Sequence, residues 1–135
     1  MKPLVLNTEE YAYCHHEFVG HFKRLQRLAK ERPGQEKTSL FEVYKSMYAV
    51  FAAPVVQNEI KVLTLNRKKL RVLEDYMTSA QTALTERIIP GYMERIEAAP
   101  EPSEKERLKV YLDKAIMMRD TFLETIKKKV GECLT

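Results

Sequence analysis

Glycine is scarce in this sequence, with four among 135 residues, and tryptophan is absent. So little glycine, beside only six prolines, excludes collagen-like and low-complexity chains. Two cysteines, Cys14 and Cys133, are too few for a disulfide scaffold. No apolar run approaches the roughly 18–20 residues that a membrane-spanning helix needs. The opening string Met1–Asn7 lacks the apolar stretch of about 7–15 residues that marks a secretory signal. A reducing cytoplasm and free thiols are therefore expected, a Cys14–Cys133 bridge being the lesser alternative. A strong excess of one charge is missing as well. The 23 basic and 19 acidic residues give a net charge of +4 and an isoelectric point near 9.0, less than a dedicated nucleic-acid module concentrates.

Motifs of catalysis are equally scarce. There is no Gly-x-Ser-x-Gly elbow, no glycine-rich phosphate loop and no His-Glu-x-x-His pair. Cys14 and His15 are neighbours in sequence, but consecutive helical residues point about 100° apart, so they are no nucleophile–base pair. No catalytic residue and no cofactor is predicted. The single strip with metal-ligand chemistry is Glu10, Cys14, Glu17 and His21, which share one side of a helix. A structural metal site draws its ligands from two elements, and all three histidines lie between His15 and His21, so the strip is a weak candidate.

What the chain does have is helical periodicity and an apolar fraction of 44%, enough for one core and one domain over residues 1–135. The expected class is all-α: a bundle of four main helices at about 8–31, 39–53, 55–89 and 103–131, with a short helix near 92–98. The first helix starts at Asn7 or Thr8 and carries its apolar stripe on Tyr11, Phe18, Phe22, Leu25 and Ala29. Ser39 with Glu42, and Ser103 with Glu106, read as capping boxes, and Gly131 as a C-cap. Residues 55–89 contain no glycine or proline, which leaves one long helix, the slightly preferred reading, or a break near Thr64-Leu65-Asn66. The stripes there and in the last helix are Leu70, Leu73, Met77, Ala80, Leu84, Ile88 and Leu108, Tyr111/Leu112, Ala115, Met118, Phe122, Ile126, Val130.

Function then rests on surfaces. Eight of the twelve Phe and Tyr residues fall between Tyr11 and Phe51, more than a thin bundle needs inside. Tyr13, Tyr44 and Tyr48 are accordingly expected to meet a partner protein, a larger assembly or a second copy of the chain. Positive charge gathers in two patches, Lys23, Arg27 and Lys30 within Lys23–Lys37, and Lys61, Arg67, Lys68, Lys69 and Arg71, the second holding no acid. They are solvated faces or, in the alternative reading, contacts to nucleic-acid phosphates. No aromatic residue interrupts the second patch, so it is no stacking platform. The leading expectation is a small, non-catalytic, cytoplasmic protein that binds a partner protein as an adaptor, inhibitor or assembly subunit.

Overall fold

The helices form because apolar residues recur at three- and four-residue spacing between capped ends. A computed structural model describes residues 2–34 and 38–135; Glu36 and Lys37, at the end of the first basic stretch, lie outside it. In chain order the elements are β1 (Leu4–Leu6), α1 (Thr8–Glu31), α2 (Ser39–Phe51), β2 (Lys61–Leu63), α3 (Arg67–Ala83), α4 (Ile89–Ala98), α5 (Pro102–Met117) and α6 (Leu123–Leu134). Five-residue π turns, Leu84–Ile88 and Met118–Phe122, fuse α3 to α4 and α5 to α6. There are thus four main helical runs, and the class is all-α. The chain divides into two compact units, Met1–Val72 with Cys133–Thr135, and Leu73–Glu132.

In the first unit α1 packs on α2 through rings. Phe18 stacks on Phe51 with centroids 5.4 Å apart, Phe22 meets Phe41 and Tyr48, and Tyr11 reaches Phe51. Two side chains of α1 close the carbonyl end of α2, which has no basic residue in its last turn. Tyr11 donates its hydroxyl to the Ala53 carbonyl at 2.7 Å, and Nδ1–H of His15 donates to the Phe51 carbonyl at 2.6 Å. Asn7 starts α1 in a full capping box: its Oδ1 accepts from the Glu10 amide, and its own amide donates to Glu10 Oε1.

Residues 55–66 depart from the expected helix. Pro54 removes a backbone donor, Asn58 takes a left-handed conformation at φ 62°, and Lys61–Leu63 pairs antiparallel with β1, Val5 opposite Val62. Helix α3 then begins at the alternative break, with Asn66 as its cap: Lys69 N–H donates to Asn66 Oδ1 at 2.8 Å. Other caps also shift. Thr38, not Ser39, accepts from Phe41 N–H; α5 starts behind Glu101 with Pro102 in its first turn and no side-chain cap bond; and α6 runs through Gly131 to Leu134.

In the second unit the π turns explain how the helices pass points that the sequence marks as ends. The Ile89 amide donates to Leu84 O, five residues back, and Pro90 follows where no donor is required. Pro90-Gly91 is therefore helical, and the short helix near 92–98 is the end of the run from Arg67. Each extra residue also rotates the stripe. Ile89 is buried in place of Ile88, and Leu123 in place of Phe122. The two π turns lie side by side: Gln81 Nε2 donates to Arg119 O and to Glu124 Oε2, and Arg119 Nη1 to Thr85 Oγ1.

Candidate interaction surfaces

The tyrosines expected at a partner interface are largely occupied within the first unit. Tyr44 lies against Phe18 and His21, centroids 6.1 and 5.3 Å away, and Tyr48 lies 4.9 Å from Phe22. Tyr13 is half-buried and hydrogen-bonded to Glu17; burial first, and then that carboxylate, push its phenol well above the ordinary range. Burial, opposed in part by Arg24, also raises Tyr44.

The Glu10–His21 strip is used for packing. Glu10 is buried in the capping box, and His21 contacts the Tyr44 ring. Cys14 is fully buried, and desolvation together with the Glu10 and Glu17 charges pushes its thiol up to about 12. A metal needs the thiolate. Among the described residues no three His, Cys, Asp or Glu side chains come together as a metal site. Cys133 is a second buried thiol outside any disulfide, and its Sγ donates to Pro3 O at 3.5 Å.

The basic residues separate by environment. Lys23, Arg27 and Lys30 are exposed on α1, and Arg67, Lys68 and Arg71 are exposed on α3. Lys61 leaves the second patch: it pairs with Glu59, which raises its pKa, and its ammonium lies 5.0 Å from the Tyr11 ring centroid. Lys68 and Lys69 line a shallow groove of about 520 Å³ with Ser39, Glu42 and Ser46 on α2. Glu42 breaks the positive field there.

Sequence reasoning missed the ribbon. Leu4 and Leu6 are buried, so the opposite face of the two strands turns outward, and it is apolar: Val5 is 43%, Ile60 65% and Val62 62% exposed. Alternation over Ile60-Lys61-Val62 was the available signal, but its polarity is inverted. Lys61 turns inward along Tyr11 while the aliphatic residues face out.

No protein family matches the chain, and no characterised protein or solved structure is similar to it. No helix among the described residues is long and apolar enough to cross a membrane.

Proposed function

We propose that this chain is a small, non-catalytic binding protein whose partner is another protein, seated on the outer face of the β1–β2 ribbon. One observation carries the reading: Val5 and Val62, directly paired across the strands, together with Ile60 form a connected apolar surface facing water. Scattered aliphatic side chains on a surface are ordinary, but an apolar patch on a paired ribbon has the character of an interface. Behind it, Lys61 of β2 lies over the ring of the buried Tyr11. A cytoplasmic setting belongs to the proposal, since neither cysteine is in a disulfide.

The test is affinity purification from the native host with wild-type chain and with the Ile60→Glu, Val62→Glu double variant. Both positions are exposed, so the variant keeps its helical circular dichroism and its melting temperature. The expected result is a protein that survives nuclease and high salt with the wild type and is lost with the variant. Retention of every partner by the variant overturns the ribbon as the binding face. Loss of every partner on nuclease treatment transfers the function to the exposed cations of α1 and α3 and their phosphate contacts. Sedimentation that shows a wild-type dimer abolished in the variant identifies the partner as a second copy.

A further inference from the structure

In the second unit the hairpin of α4 and α5 brings together two short patterns that lie apart in sequence, Tyr92-x-x-Arg95 and Tyr111-x-x-Lys114. The tyrosine rings stack, with centroids 6.2 Å apart and planes 16° from parallel. Each ring is approached by the cation of its own helix: the Arg95 guanidinium carbon is 5.9 Å from the Tyr92 centroid, and Lys114 Nζ is 6.0 Å from that of Tyr111. Tyr111 remains 46% exposed, and Tyr92 is half-buried.

Helical geometry sorts the charges around this pair. At about 100° per residue, Arg95, Arg107 and Lys114 fall within about 60° of the tyrosine on their own helix. Glu94, Glu97, Glu106 and Asp113 fall about 140° or more away. Two acids share the tyrosine side: Glu104, 4.0 Å from Arg107, and Glu101, which lines a shallow groove with Glu104 and Arg107. Arg95 and Arg107 line one shallow cleft of about 410 Å³, so they lie together at one end of the stacked rings. Lys114, one turn beyond Tyr111, lies at the other end. The order along the face is cation, aromatic platform, cation, and Arg107 and Lys114 are about 10 Å apart along the helix axis.

We infer that this face of the α4–α5 hairpin binds single-stranded nucleic acid, a base stacking on the Tyr92–Tyr111 platform and the flanking phosphates meeting Arg95 with Arg107 on one side and Lys114 on the other. The inference is independent of the protein-binding face proposed above. Rings and charge point to the same occupant. A base offers a flat π face to the exposed side of the Tyr111 ring, and the backbone carries the negative charge that three cations against two acids attract. An acidic peptide satisfies the cations but leaves the platform without a matching group.

Fluorescence anisotropy of the full chain with fluorescein-labelled oligothymidylate and oligouridylate of about 12 nucleotides tests this, within the footprint of single-strand sites. Binding is expected to weaken as salt rises from about 50 to 200 mM, with a log–log slope near −2, about 0.7 for each of three cations. Tyr111→Ala should weaken it about tenfold and Tyr111→Phe less than about twofold, because the phenyl ring keeps the stack. Arg95→Gln with Lys114→Gln, both on exposed positions that leave the fold intact, should flatten the slope to about −0.7. Lys109→Gln, at an exposed position about 160° from Tyr111 on the same helix, should change nothing. Absence of binding up to about 1 mM, or binding that the Tyr111 and Arg95/Lys114 variants leave within twofold, overturns the inference. Equal competition by a polyglutamate peptide of similar length also overturns it and reassigns the face to an acidic protein segment.

Discussion

The two units use aromatic residues in opposite ways. The first holds eight of the twelve Phe and Tyr side chains between Tyr11 and Phe51 and turns most of them against one another: Phe18, Phe51 and Tyr11 are buried, and Tyr44 and Tyr48 are half-covered by rings of α1. The second has few, and it leaves Tyr111 46% exposed against a half-buried Tyr92, each ring beside a basic side chain. Aromatic density in this sequence therefore reports in part the packing of α1 on α2. What turns a ring outward is the absence of an apolar partner opposite it, and that depends on tertiary neighbours.

The largest effect expected from this contrast is on stability. Phe18→Ala removes a fully buried ring stacked on Phe51 and should cost about 3–5 kcal/mol. Tyr111→Ala, at a half-exposed position, should cost less than about 1 kcal/mol. Urea denaturation followed by circular dichroism reads both. Similar costs for the two would show that the surface rings of the hairpin are as structural as the core rings of α1.

A second difference is chemical. The first unit buries acids of weak strength: Cys14 is pushed up to about 12, and Tyr11, Tyr13 and Tyr44 are all raised, burial being the first cause in each case. Each charged form is disfavoured when folded, so the folded chain holds these protons more tightly than the unfolded chain does. Their contribution is complete below the ordinary thiol value of 9.0 and is lost as pH climbs from there toward about 12. Stability should fall across that window, and Cys14→Ala should flatten the fall by about 1.4 kcal/mol per pH unit. Denaturation midpoints between pH 8 and 11 measure it. An unchanged slope in the variant would mean that Cys14 ionises without loss of structure.

Much of the fold is legible in the sequence because it is local. The start of α1 at Asn7, the stripe Tyr11, Phe18, Phe22 and the stripe Leu70, Leu73, Met77 follow from spacing alone, whereas the capping boxes read at Ser39 and Ser103 do not form. What escaped is set by backbone bonds that spacing does not encode. A stripe read at constant period places Ile88 and Phe122 inside, whereas the π turns add a residue and bring in Ile89 and Leu123. Residues 55–66 carry neither glycine nor proline to announce a strand, and β2 exists because β1, more than fifty residues earlier, pairs with it. The surfaces were less legible still. Tyr92 and Tyr111 meet only once α4 folds back on α5, and Lys61 counts as a free cation until Glu59 and Tyr11 are placed beside it.

The smallest effect sharpens the contrast at the helix starts. Helix α1 begins with two reciprocal bonds between Asn7 and Glu10 at 2.8 and 2.9 Å, whereas α5 begins behind Glu101 with no side-chain bond and relies on Pro102 to set its first turn. Asn7→Ala removes the acceptor of the Glu10 amide and should cost about 1 kcal/mol. Asn7→Asp keeps an acceptor at the same place, beside the positive end of the helix dipole, and should recover most of that loss. Glu101→Ala has no such bond to lose and should stay within about 0.5 kcal/mol of wild type. Chemical denaturation of the three variants measures the difference. Equal costs for Asn7→Ala and Glu101→Ala would mean that the rings of α2, not the cap, hold the start of α1 in place.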